Sequence, residues 1–199
     1  MSRAIYYTAT TLDGYLADAD DSLDWLFRQD QDHAGALNYA AFIDTIGAIV
    51  MGSTTYRWIL DHRAAVEAEV GKAWPYAMPC FVMTTRELAA LPGEDIRFVR
   101  GDPRAVHALL DEAAGDKDIW VVGGGDLAGQ FADHGLLDEV IVYLAPVTLG
   151  AGRPLLPRRL DLELLEATQN RAFIAARYRV LGRLHEDRGE SEPARHGHL

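Results

Sequence analysis

The stretch Trp120-Val121-Val122-Gly123-Gly124-Gly125-Asp126-Leu127-Ala128 constrains this chain more than any other. A buried apolar strand ends in three glycines, and a helix begins without a linker. Glycine loses more backbone freedom on folding than any other residue, so three in a row call for a reason. Without Cβ atoms the backbone can approach a pyrophosphate closely, and the free N–H groups and dipole of the new helix favour its charge. The other use of such a stretch is a tight strand-to-helix turn that binds nothing. Read as G-x-G-x-x-A it also fits a Rossmann fingerprint, which calls for an acid at the end of the next strand, about 20 residues on. That strand ends in Leu144-Ala145-Pro146, with no acid, and the motif lies late in the chain. A standard Rossmann domain is the weaker reading.

Two further junctions offer the same kind of donors. Met51-Gly52-Ser53-Thr54-Thr55 follows a short apolar strand, and its hydroxyls are good N-caps for a helix through Trp58. Met83-Thr84-Thr85-Arg86 follows another strand with two hydroxyls and a guanidinium, a group suited to a phosphate monoester. Each alone is a capped helix or a solvated loop. Together they outline one dinucleotide groove, because ligands of open α/β sheets gather at the carboxyl ends of the strands.

Strands are predicted at Ala4–Thr10, Ala48–Met51, Cys80–Thr84, Ile96–Arg100, Ile119–Val122 and Val140–Ala145, with a half-exposed antiparallel strand around Ile174–Val180. Helices are predicted from about His33 to Asp44, from Pro103, and from about Asp126 to His134. The alternation implies an α/β fold with a mostly parallel sheet covered on both faces and antiparallel strands added last. One domain over 1–185 accounts for the length, and residues 186–199, without periodicity or an apolar run, read as a disordered tail.

The net charge of −11 argues against nucleic acid as a partner, although a nucleotide needs only a local pocket of donors. The single cysteine, Cys80, cannot form an internal disulfide, the first residues lack a leader pattern, and no apolar run approaches the roughly 20 residues of a membrane span. A cytoplasmic location follows. The seven histidines are scattered, and Pro79-Cys80 is half of a deaminase zinc motif without its second cysteine, so no metal site is expected.

From about Ile5 to Leu181 the order of motifs resembles dihydrofolate reductase and its relative, the reductase domain of riboflavin biosynthesis. Thr11-Leu12-Asp13-Gly14-Tyr15-Leu16-Ala17 is similar to the superfamily's first loop, Met51-Gly52-Ser53-Thr54-Thr55-Tyr56 to its Met-Gly-x-x-Thr-Trp helix start, and Val122-Gly123-Gly124-Gly125 with Gln130 and Phe131 to its pyrophosphate segment. The resemblance implies a three-layer dihydrofolate-reductase-like sandwich and NADPH as cofactor. On that basis Ala9, Leu16 and Ala17 line the nicotinamide. Gly52, Ser53, Thr54 and Thr55, with Gly123, Gly124, Gly125 and Asp126, border the phosphates, and Val122 and Leu127 pack along the cofactor. Thr84, Thr85 and Arg86 take the 2′-phosphate, helped by Arg100.

Folate reductases place an acid five residues after a loop tryptophan, which from Trp25 implies Asp30 as proton donor, with Asp32 close by. The alternative for either aspartate is to cap the helix expected near His33. Ala128 and Ala145-Pro146 depart from the folate-reductase pattern, whereas Pro146 to Leu155 is similar to the Leu-Gly-x-Gly-x-Pro-Leu turn of riboflavin reductases. The expected activity is NADPH-dependent reduction of a pteridine- or pyrimidine-like heterocycle. The alternatives are the riboflavin-pathway 5-amino-6-ribosylaminopyrimidine phosphate reductase and a non-catalytic NADPH-binding sensor or scaffold. The resemblance also implies a homodimer, with the Gly150–Pro157 turn and the final strands as the contact.

Overall fold

The computed structural model describes residues 2–184, so the expectation for the tail at 186–199 lies outside the described residues. In chain order the elements are β1 (Ala4–Thr11), β2 (Tyr15–Ala17), α1 (Asp24–Phe27), α2 (Tyr39–Asp44), β3 (Ile46–Gly52), α3 (Ser53–Asp61), α4 (Arg63–Val70) and β4 (Cys80–Met83). There follow β5 (Ile96–Val99), α5 (Pro103–Ala114), β6 (Asp118–Gly123), α6 (Gly125–Asp133), β7 (Glu139–Ala145), β8 (Arg153–Pro154), β9 (Leu160–Asn170) and β10 (Phe173–Arg183).

Eight strands form one sheet in the order β5-β4-β3-β6-β1-β7-β10-β9. The pairings from β5 to β7 are parallel, and β10 and β9 close the edge antiparallel. The parallel strands are apolar at successive positions because both faces are covered. Ile5, Tyr7, Ile49, Met51 and Trp120 pack on one face, and Ala4, Tyr6, Ala48, Val50 and Val121 on the other. No helix among the described residues is long and apolar enough to cross a membrane.

Several boundaries differ from the sequence expectation. The helix expected from His33 begins only at Tyr39, capped by the Asn38 side chain, which accepts from Ala41 N at 2.8 Å. Upstream, Asp32 turns the chain by accepting from Ala34 N and Gly35 N, and Leu37 has φ +56°, so a continuous helix is blocked. The residue at the N-cap of α3 is Gly52, and no side-chain hydroxyl caps that helix. The long edge strand β9 escaped prediction because its exposed residues follow no period of two.

Candidate active site

The carboxyl ends of β3, β4, β5 and β6 open onto one cavity of about 940 Å³, closed on its other side by the first loop and by β8. Every residue assigned above to the nucleotide lines this cavity. Gly52, Ser53, Thr54 and Thr55 come from the β3–α3 junction, Thr84, Thr85 and Arg86 from the end of β4, and Arg100 from the end of β5. Val122, Gly123, Gly124, Gly125, Asp126 and Leu127 come from the β6–α6 junction, while Ala9, Leu16 and Ala17 stand opposite.

Local geometry explains why glycine occupies two of these positions. Gly123 has φ +131°, a conformation that side chains rarely adopt. A Cβ on Gly125 would run into the carbonyl oxygens of Pro154 and Leu155. Gly124 is different, since a Cβ there would meet nothing within 4 Å and would stand in the cavity. Glycine at this position leaves that space open.

The helix ends give the cavity its polarity. α2 and α5 are capped by the side chains of Asn38 and Asp102. α3 and α6, the two helices that open on the cavity, start from Gly52 and Gly124 without a side-chain cap. Their first-turn N–H groups therefore lack side-chain acceptors, the condition in which a helix start binds an anion. Thr84 Oγ1 accepts from Arg86 N at 2.9 Å and fixes the turn after β4. Among the described residues Arg57, Arg86 and Arg100 have no ion-pair partner, so three guanidinium groups on the cavity wall keep donors for a ligand.

The two carboxylates on the wall are both tied down. Asp126 accepts from Gln130 Nε2 at 2.9 Å and from Arg158 Nη2 at 3.0 Å. Gln130 first, then Arg158, hold its carboxyl below the usual carboxylate range. Asp21 is bound by Arg153 through two contacts, at 2.6 Å and 3.2 Å. An acid at the start of α6 would repel an anion, and Arg158 offsets it.

The opposite wall is held as a unit. Asp13 accepts from Leu149 N at 3.0 Å and Gly150 N at 2.7 Å, Leu12 N donates to Val147 O, and Leu155 N donates to Gly14 O. β2 pairs with β8, and the buried Trp25 donates its indole N–H to Leu16 O at 3.2 Å. Tyr6, buried in the sheet, donates to Leu155 O at 2.9 Å, and burial pushes its phenol up.

Asp30 is not brought to the cavity. Its side chain is 70% exposed and lies 3.5 Å from the Arg171 guanidinium, while its carbonyl accepts from Ala172 N. Asp32 is spent on the turn before α2, with its own N–H held by Asn170 Oδ1 at 2.8 Å. Neither aspartate caps α2. After Trp25, residues 28–38 form an irregular excursion instead of the first turn of a helix, and this leaves Asp30 outside the cavity lining.

Several wall residues were not foreseen, among them Arg57, Trp58, Asp21 and Arg153. Arg57 and Trp58 follow Ser53 and Thr54 at helical spacing, a signal that was present in the sequence. Asp21 and Arg153 meet across 132 positions, and no local pattern reveals that.

The model of the RibD C-terminal domain matches residues 4–174. YwjB, a Bacillus subtilis (strain 168) protein of uncharacterised function, is 30% identical over 154 residues, covering 77% of this chain and 82% of that protein. A protein assigned to riboflavin biosynthesis from Shewanella sp. PV-4 superposes with a TM-score of 0.73 at 26% identity, covering 89% of this chain and 98% of the other. The Thermotoga maritima diaminohydroxyphosphoribosylaminopyrimidine deaminase/5-amino-6-(5-phosphoribosylamino)uracil reductase shares the fold, with a TM-score of 0.58 at 16% identity. That match covers 90% of this chain and 56% of the Thermotoga chain.

Proposed function

The chain belongs to the RibD C-terminal domain family, and on that premise we propose that it is an NADPH-dependent reductase of a pyrimidine- or pteridine-like heterocycle. One observation carries the reading: three strand-to-helix junctions share a cavity, and the two helices that open on it start from glycines without side-chain caps.

The residues present suit a pyridine nucleotide. The N–H groups after Gly52 and Gly124 would hold its pyrophosphate, and Thr84, Thr85, Arg86 and Arg100 would take an adenosine 2′-phosphate, the group that separates NADPH from NADH. Ala9, Leu16, Ala17, Val122 and Leu127 offer small or apolar walls, which suit a flat ring and keep water from it. When bound, the reduced nucleotide supplies hydride to an acceptor beside it. Arg153 and Asp21 hold each other on the groove wall, on the side where this reading puts the acceptor. The reading includes a cytoplasmic enzyme that works as a homodimer. Leu162, Leu164 and Ile174, exposed on the β9–β10 hairpin, support that contact.

The test is oxidation of NADPH, followed by absorbance, against a panel of aminopyrimidines and dihydropteridines. At least one should be reduced, and NADPH should be preferred to NADH. If NADPH binds and no member of the panel is reduced, the chain is a nucleotide-binding protein without this chemistry.

A further inference from the structure

We propose that Arg158 is a positioning residue for the nucleotide: from outside the groove lining it cancels the charge that Asp126 would otherwise present to the cofactor's phosphates. The inference rests on the nucleotide reading above. Asp126, Gln130 and Pro157 line the groove, and Arg158 reaches Asp126 from beyond that lining.

Arg158 belongs to a strap, residues 154–158, that runs along one face of α6. At the start of the helix, the carbonyls of Pro154 and Leu155 occupy the space that a Cβ on Gly125 would need. One turn on, a Cβ on the buried Gly129 would meet Arg158 Cγ and Cζ at 2.9 Å, so the arginine lies directly over the helix. Positions 125 and 129 share a helix face, and glycine at both makes room for the strap. Two bonds of 2.9 Å anchor the strap elsewhere: Tyr6 donates to Leu155 O, and Leu155 N donates to Gly14 O.

So placed, the guanidinium spans α6 from its first turn to its last. Nη2 donates to Asp126 Oδ1 at 3.0 Å, Nε to Asp133 Oδ2 at 2.7 Å, and Nη1 to Pro157 O at 2.8 Å. Asp133 has a second arginine, because Arg183 Nη2 donates to its Oδ1 at 3.0 Å. Asp126 has no second cation among the described residues, and its other oxygen accepts from the neutral Gln130 Nε2 at 2.9 Å. Loss of the Arg158 charge would therefore leave Asp133 paired and Asp126 bare.

The place of Asp126 makes that charge matter. It stands in the first turn of α6, where the free N–H groups and the helix dipole favour an anion. An unpaired carboxylate there opposes the same field and repels a pyrophosphate. Gln130 first, and then Arg158, hold this carboxyl below the usual range, so a cation and not a proton cancels it at neutral pH. The Asp126 side chain is 68% exposed, and solvent screens part of the repulsion. The expected consequence is a loss of affinity that salt can erase, not a loss of the site.

The experiment titrates NADPH into the full chain at low and high salt, with Arg158→Gln made both in the wild-type protein and in an Asp126→Asn background. At low salt Arg158→Gln should weaken NADPH by about three- to tenfold in the wild-type background, and the gap should close as salt rises. In the Asp126→Asn background the same change should cost less than about twofold, because the charge it exposes is gone. Arg158→Lys keeps the stem over Gly129 and the positive charge, so it should retain most of the affinity and covers the case in which the glutamine variant fails to fold. A purely structural arginine gives another pattern, an equal and salt-independent loss in both backgrounds. That pattern, no loss in either background, or a lysine variant as weak as the glutamine one would overturn the inference while NADPH binding by the wild type leaves the nucleotide reading standing. A wild-type protein that binds no NADPH would strike the reading, and this inference with it.

Discussion

Gly124→Val separates the nucleotide site from the fold that carries it. Gly124 has φ −73° and ψ −175°, extended backbone that any residue adopts, and an added Cβ meets no atom within 4 Å. On the folding side the variant should keep the fold, because the added Cβ meets no neighbouring element. On the binding side the isopropyl group would fill the space in front of the first turn of α6. A pyrophosphate would lose its hydrogen bonds there, each worth about 1.5–3 kcal/mol to a charged group. Losing two weakens NADPH by about 3–6 kcal/mol, or roughly two to four orders of magnitude in Kd. Thermal unfolding reads the first effect and fluorescence titration with NADPH reads the second. Gly125→Ala is the matched contrast, since its Cβ collides with the carbonyls of Pro154 and Leu155 and should lower Tm outright. Unchanged NADPH affinity in a folded Gly124→Val protein would show that the three glycines form only a turn.

Arg86→Ala should weaken NADPH by about 1.5–3 kcal/mol and leave NADH nearly unchanged; equal losses for both would remove Arg86 from the 2′-phosphate. Asp30→Asn should keep turnover within roughly twofold of wild type, because an exposed side chain away from the cavity contributes little. A loss of about 10²–10⁴ in kcat would instead restore Asp30 as the proton donor. Asp13 is held below the usual carboxylate range by the Thr11 hydroxyl first, and then by the N–H groups of Gly150 and Leu149. A depressed pKa stabilises the folded state fully above the ordinary value near 3.9 and loses that contribution as pH falls through the folded one. Asp13→Asn should therefore flatten the acid limb of Tm against pH, and an unchanged limb would show that Asp13 does not hold the two loops together.

What the sequence made legible was local. The three strand-to-helix junctions could be read because an apolar run, a glycine or hydroxyl, and a helical pattern follow one another within about ten residues. Those junctions alone place much of the cavity wall. The substrate side was not legible, because it is built from contacts between distant segments. Asp21 meets Arg153 through a pairing of β2 with β8 that is only two residues long on one side. Asp30 stands outside the cavity lining for a related reason. Its position depends on residues 28–38, where Asn170, far along the chain, grips Asp32 and draws the backbone out of a helical path. The Ile174, Ala176, Tyr178 and Val180 alternation did mark β10, yet its partner β9 carries Glu163, Leu164, Leu165 and Glu166 with a bulge that breaks the period.

The charge pattern explains how a chain of net charge −11 can offer a site to an anion. Over the dinucleotide groove, the carboxylates on the wall are each answered by an arginine, Asp21 by Arg153 and Asp126 by Arg158. The field left there comes from two uncapped helix starts and from Arg86 and Arg100, all of one sign. A few ångströms along α3 the balance reverses, because Asp20, Asp24 and Asp61 stand unpaired among the described residues with Arg57 alone against them. The wall is thus polarised along its length, with helix starts and guanidinium groups at the strand ends and exposed carboxylates along α3.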